Sequence, residues 1–110
     1  MKIGTSLNFA QSSREGALDL KESLSLIKSA GFDAVEIDLS RGIGAAALDS
    51  DLWEKNIALI KEFAESEGLL VVSAHAPHDP RLYIPEVQPT EEERAKFDEL
   101  LCRSTKAAHI

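Results

Sequence analysis

Glycine followed by an apolar residue and a short β-rich run occurs twice, at Gly31-Phe32 and Gly68-Leu69, and the two copies lie 37 residues apart. That distance is the length of one strand-helix unit. A glycine at such a point can take the left-handed conformation that closes a helix, and the apolar residue beyond it packs back on the last turn. Strands that alternate with helices at this period return in parallel, because a parallel return needs a long connection and a helix is the usual one. The repeat therefore points to an α/β fold made of βα units.

The remaining elements fall into place around the repeat. Strands are expected at about 2–7, 34–39 and 69–75, and helices at about 17–30, 51–67 and 90–108. In the first helix Leu20, Leu24 and Ile27 form the buried stripe, in the second Trp53, Ile57, Ile60 and Ala64, in the third Phe97, Leu101 and Ala108. Asp51 with Glu54, and Thr90 with Glu93, have the three-residue spacing of capping boxes. The polar stretch Asn8 to Gly16, the Gly-Ala stretch Arg41 to Leu48, and the segment Ala76 to Pro89 with all four prolines read as loops. The pattern breaks off in or just after the third helix, so residues 1–110 are expected to be one partial domain, apparently truncated. Three parallel strands alone would leave two open sheet edges.

Composition excludes several classes. Twelve Lys and Arg stand against 19 Asp and Glu, a net charge of -7, with no basic stripe of the kind a phosphate-backbone binder needs. Nucleic acid is a disfavoured partner. The longest apolar stretch, Gly68 to Ala74, falls far short of the roughly 18–20 residues needed to span a bilayer. The start Met1-Lys2-Ile3-Gly4 has no signal-peptide pattern, and the single cysteine, Cys102, forms no intrachain disulfide, so a cytoplasmic location is expected.

In a parallel α/β fold the ligand crevice lies at the carboxyl ends of the strands. Those ends carry Ser6-Leu7-Asn8, Glu36-Ile37-Asp38 and Ser73-Ala74-His75. His75 is the sharpest candidate, since a strand-end imidazole can bind a metal, hold a substrate oxygen or transfer a proton; the alternative is a hydrogen-bonded interior histidine. By simple alternation it shares a face with Ser73 and Val71, while Leu70, Val72 and Ala74 face the helices. Glu36 points to the face opposite Val35 and Ile37, where a carboxylate needs contact with a substrate or another active-site residue, or else an ion pair with Lys or Arg from another strand. Asn8 is a candidate substrate contact at the end of strand one. Asp38 is read as capping the loop at Arg41-Gly42. His78 and Tyr83 lie on the proline-rich loop, either closing over a ligand or solvated. Trp53 and Cys102 read as packing residues. There is no Cys-x-x-Cys pair, phosphate-binding glycine loop or Gly-x-Ser-x-Gly elbow.

The run Ala30-Gly31-Phe32-Asp33-Ala34-Val35-Glu36-Ile37, followed after one helix by Val72-Ser73-Ala74-His75-Ala76-Pro77, resembles the xylose isomerase-like TIM-barrel superfamily, which contains sugar phosphate isomerases and epimerases and endonuclease IV-type nucleases. The Lys2-Ile3-Gly4 strand and the acidic third helix agree with it. The resemblance covers essentially the whole chain and implies the first three βα units of a (β/α)8 barrel. It further implies a divalent metal in the full-length parent (Mn, Mg, Co or Zn), held by Glu, Asp and His on later strands beyond Ile110, with none bound by this chain alone. His75 matches the histidine of the His-Ala-Pro segment, a zinc ligand in the nuclease branch and a pocket residue in the isomerase branch. Glu36 matches the strand-two glutamate of the isomerase branch. His78 stands where the nuclease branch usually has tyrosine.

The resulting expectation is the N-terminal part of a sugar or sugar phosphate isomerase or epimerase, in which a metal polarises a hydroxy-carbonyl sugar and Glu36 belongs to the catalytic carboxylates, while His75, Asn8 and His78 contact substrate. By itself the chain would be inactive. Two alternatives stand beside it: a zinc-dependent nuclease acting at abasic DNA, with His75 as a metal ligand, and a non-catalytic barrel piece that forms homo-oligomers through its open strand edges.

Overall fold

The computed structural model describes residues 2–8 and 19–110. Three parallel strands, β1 (Gly4–Ser6), β2 (Ala34–Asp38) and β3 (Leu70–His75), form one sheet in the order β1-β2-β3. Four α-helices are described: α1 (Leu20–Ser29), α2 (Gly42–Leu48), α3 (Trp53–Ser66) and α4 (Glu91–Ala107). Two short 3-10 turns, Pro80–Tyr83 and Pro85–Val87, fill the loop before α4. The expected start of the first helix at 17 and the polar stretch through Gln11, Ser12, Ser13 and Arg14 lie outside the described residues.

The two glycines act alike. Gly31 has φ 97° and Gly68 has φ 76°. After α1 the Gly31 N–H donates to Lys28 O and the Phe32 N–H to Ile27 O; after α3 the Gly68 N–H donates to Glu65 O and the Leu69 N–H to Ala64 O. Both are the two-bond glycine cap that satisfies a helix's last carbonyls. The chain then enters the sheet the same way each time, Asp33 N–H donating to Ile3 O and Leu70 N–H to Asp33 O. A repeated backbone device thus sets the strand order.

Helix stripes and one side of the sheet share a single core. Leu24 and Ile27 from α1, Ile57, Ile60 and Ala64 from α3, and Ala107 from α4 close on Val35, Ile37 and Leu39, with Trp53 packed at the margin. Fully burying one such Leu or Ile side chain contributes about 2 kcal/mol. The stripe on α4 runs one residue earlier than alternation of apolar residues implied: Ser104 and Ala107 are buried, Ala108 is exposed, and Cys102 is exposed rather than packed.

Four further expectations are corrected. Strand one ends at Ser6, and Leu7 and Asn8 are already helical. The stretch read as a Gly-Ala loop is helix α2, because Ala45, Ala46, Ala47 and Leu48 are strong helix formers and Gly44 lets the helix lie directly on the β2 backbone. A Cβ at Gly44 would stand 2.1 Å from Asp38 O. No Asp51–Glu54 capping box forms; Leu52 occupies the α3 cap without a side-chain bond, and Ser50 turns the chain by accepting Leu52 N–H on Oγ and Trp53 N–H on its carbonyl, each at 3.1 Å. The Thr90–Glu93 box is complete, with Glu93 N–H on Thr90 Oγ1 at 3.1 Å and Thr90 N–H on Glu93 Oε1 at 3.2 Å.

The last correction is a register shift. Val35 pairs with Val71 but Glu36 pairs with Ser73, so Val72 is an extra residue on β3. Such a bulge reverses alternation on one side of it. Val71 therefore joins Val35 on the core side and Leu70 lies beside Ala34 on the other, opposite to simple alternation; beyond the bulge Ala74 lies beside Ile37, and Ser73 and His75 lie beside Glu36 and Asp38.

Candidate functional site

Parallel register carries polar residues into rows on the face away from the core. Ser6, Glu36 and Ser73 are neighbours across all three strands. Ser73 Oγ donates to Glu36 Oε2 at 2.9 Å, and Glu36 is half-buried. No Lys or Arg pairs with Glu36 among the described residues, so its described partner is the neighbouring hydroxyl and not an ion pair. The bulge at Val72 makes this contact.

One step further toward the carboxyl ends lies Asp38, 6% exposed and the hub of the edge. Its Oδ2 accepts from Asn8 Nδ2 at 2.9 Å and from Arg41 Nε at 3.2 Å. Its Oδ1 accepts the Ser40 N–H at 2.8 Å and the Ser40 hydroxyl. On the other side its register partner is His75. One carboxylate thus ties the end of β1, the loop after β2 and the end of β3. Burial, the largest single influence, pushes the Asp38 pKa up; the hydroxyl and N–H of Ser40, the Arg41 guanidinium and the charge of His75 together outweigh it and hold the carboxyl below its ordinary value. The expected capping of the Arg41-Gly42 turn is present, and Asn8 is an additional, distant partner. Asn8 Oδ1 is buried with no hydrogen-bond partner among the described residues.

His75 is exposed, with Nδ1 2.8 Å from Ala76 O. A carbonyl oxygen only accepts, so Nδ1 carries the hydrogen. In the neutral ring Nε2 is then the lone-pair nitrogen, able to take a hydrogen bond or a proton from a ligand. The His78 ring lies with its centroid 5.9 Å from that of His75, tilted by 53°. Four of the named residues, Asn8, Asp38, His75 and His78, therefore meet at one edge, and Glu36 lies one row behind. Tyr83 is 84% exposed and stands apart from them on the first 3-10 turn.

The loop that carries His78 is fastened at its far side. Arg81 donates to Asp79 at 2.7 Å and to Glu93 at 2.5 Å, joining the loop to the first turn of α4. The Arg81 guanidinium holds the Asp79 and Glu93 carboxyls below the usual carboxylate range, and its own pKa is raised in return. The Arg81–Glu93 half of this anchor had no signature in the sequence, because twelve residues of irregular loop and helix start separate the two. A groove of about 640 Å³ runs between α2, this loop and α4, and His78, Ser40, Leu39, Leu48 and Phe97 are among the residues that line it. A smaller apolar cavity of about 280 Å³ lies beside β3, against Val71, Ala74, Ile57 and Ala107.

A metal fits poorly within these residues alone. Among the described residues no group of three or more His, Cys, Asp or Glu side chains is placed to hold one. Asp38 already accepts four hydrogen bonds, and His75 contributes a single free nitrogen. No described helix is long and apolar enough to cross a membrane. No family model, no curated protein and no solved structure matches the chain.

Proposed function

We propose that this chain is the N-terminal wall of a sugar-isomerase- or epimerase-like (β/α)8 protein. The observation that carries the reading is the convergence of Asn8, Asp38 and His75 from the ends of three successive parallel strands onto one edge. Catalytic side chains collect at that edge in parallel α/β folds, because its loops vary freely while the opposite ends maintain the fold. In this reading His75 Nε2 holds a hydroxyl of the sugar, His78 flanks it from the loop, and Asn8 Oδ1 faces a donor. Glu36 Oε1, the oxygen not engaged by Ser73, takes part in moving a proton between adjacent carbons. A divalent metal would supply polarisation of the carbonyl, and the described residues offer it at most the free nitrogen of His75. Assays of the 110-residue chain and of a longer parent for ketose-aldose interconversion with divalent metals test it. The parent is expected to be active and to lose at least about a hundredfold on His75→Ala, with the chain alone inactive. Full activity in the chain alone, or a parent indifferent to His75→Ala, would overturn the reading.

A second reading, a non-catalytic piece that pairs with copies of itself, draws support from β3. This edge strand leaves Leu70 46% and Val72 57% exposed. A mass by light scattering that stays monomeric at all concentrations would remove it.

A further inference from the structure

We infer that the groove between α2, the loop after β3 and α4 is a second binding site, and that it takes an organic cation with an apolar body. None of Asn8, Asp38 and His75 lines this groove, so the inference stands apart from the isomerase reading. At about 640 Å³ it has the size of a small-molecule site. Leu39, Leu48, Phe97 and Leu100 give it apolar walls. Polar bridges fasten α4 to the end of α2 and leave those walls apart: Lys96 meets Asp49 at 2.6 Å, and Arg103 donates to Leu48 O and Ser50 O, each at 3.0 Å. An apolar ligand body has a place between them.

The charge of the lining selects the sign of the ligand. Four carboxylates, Asp49, Asp79, Glu92 and Glu93, line the groove against two cations, Arg81 and Lys96. Arg81 meets both Asp79 and Glu93, one positive charge against two negative. It holds both carboxyls below their ordinary range, so both stay ionised at neutral pH. Lys96 lies one helical turn beyond Glu92, the usual spacing for a pair, but it is drawn off by Asp49. Glu92 is left exposed, with no ion-pair partner among the described residues. An anion entering the groove meets this excess of negative charge, and a neutral molecule gains nothing from it. A cation gains from both the Arg81 cluster and Glu92, while the apolar walls take the rest of the molecule out of water.

Titration of the intact chain with three probes of like shape, tryptamine, tryptophol and indolepropionate, followed by methyl NMR, tests the inference. Neutral pH and a low, constant ionic strength keep the charges present and weakly screened. Saturable shifts are expected at the methyl groups of Leu39, Leu48 and Leu100, with half-saturation by tryptamine near roughly 1 mM. Tryptophol should bind about threefold more weakly, and indolepropionate more weakly still. Glu92→Gln should weaken tryptamine about threefold, and Lys96→Gln, which releases Asp49, should tighten it by about the same factor, while tryptophol responds to neither. Glu62→Gln, at an exposed carboxylate of α3 outside the groove, should change nothing. Ala46→Phe, at an exposed residue that lines the groove, should fill it and abolish binding of all three probes. Should Ala46→Phe disturb α2, the opposite signs of the Glu92 and Lys96 variants still decide the matter. Equal affinities for the three probes, tightest binding of indolepropionate, shifts that do not saturate by roughly 20 mM, or shifts that fall away from the groove would overturn the proposal. Each of these failures would leave the isomerase reading intact, since that reading stands or falls on sugar interconversion and His75→Ala.

Discussion

The two ends of the sheet are built on opposite plans. At the amino ends the same device is used twice: a glycine with positive φ closes a helix, and the next residues enter the sheet by donating to the preceding strand. The cap bonds and the entry bond are the same in both units, which differ in their side chains and in the contact of Lys28 Nζ with Gly68 O. At the carboxyl ends no two strands behave alike. β1 passes into helical backbone at Leu7, β2 ends in the Asp38 hub and α2, and β3 runs past His75 into a proline-rich loop pinned by Arg81. Repetition at one end builds a sheet cheaply from local chemistry, and that frees the other end to hold dissimilar polar groups.

The sharpest way to break this contrast is Gly44→Ala. Among the described residues Gly44 is the place where the carboxyl end demands a glycine for space rather than for φ, since an added Cβ would sit 2.1 Å from Asp38 O, a backbone atom that cannot rotate away. The variant should lose about 3 kcal/mol, the upper part of the range for overpacking a tight contact, read as a fall in the urea midpoint. A change below about 1 kcal/mol would mean that α2 is free to lift off β2, and that the edge is as adaptable as its varied loops imply.

Asp38→Ala comes next, at about 2 kcal/mol, because it strands donors from Asn8, Ser40 and Arg41 around a buried position. Its sign with pH is fixed by the lowered carboxyl pKa. The carboxylate's contribution is complete above the unfolded value of about 4 and is lost as pH falls through the lower folded value. Asp79 and Glu93 act in the same sense, so the informative quantity is the difference between wild type and variant. That difference should be flat from about pH 7 to pH 5 and shrink below about pH 4. A difference that grows toward acid pH would contradict the hub.

The amino-terminal plan was legible in the sequence because each of its parts is local. Gly31 and Gly68 mark helix ends through their own backbone, and Leu24, Ile27, Ile57 and Ile60 mark faces through spacing within one helix. The site was legible only where its contacts are also local. Asp38 to Ser40 and Arg41 spans two or three residues, the ordinary reach of an aspartate capping its own turn. Asn8 to Asp38 spans thirty, and only strand pairing brings them together. The bulge at Val72 left no trace, since register is a property of two strands and a run of apolar residues such as Leu69 to Val72 offers no alternation to read. Helix α2 was missed because Gly42 and Gly44 outweighed an alanine run whose stability comes from its seat on β2.

The smallest effects test the repetition itself. Gly31→Ala and Gly68→Ala each place a Cβ on a residue with positive φ, at φ 97° and φ 76°. No atom lies within 4 Å of the added carbon at Gly31, and at Gly68 the nearest are Lys28 Cε and Nζ at 3.5 Å, an ordinary contact at the end of a flexible side chain. Both costs are therefore almost entirely backbone strain, about 1–2 kcal/mol each. Apart from Lys28, whose carbonyl accepts the Gly31 N–H, the two caps share no hydrogen-bond partner among the described residues, so the double variant should be nearly additive, within about 0.5 kcal/mol. One link runs between them: Lys28 Nζ donates to Gly68 O at 3.2 Å and lies 3.9 Å from Asp33. If the double variant departs from additivity by more than that margin, and Lys28→Met restores it, then the repeat units communicate through this lysine. Equal single effects and additivity would instead show two independent copies of one device, each closing its helix without reference to the other.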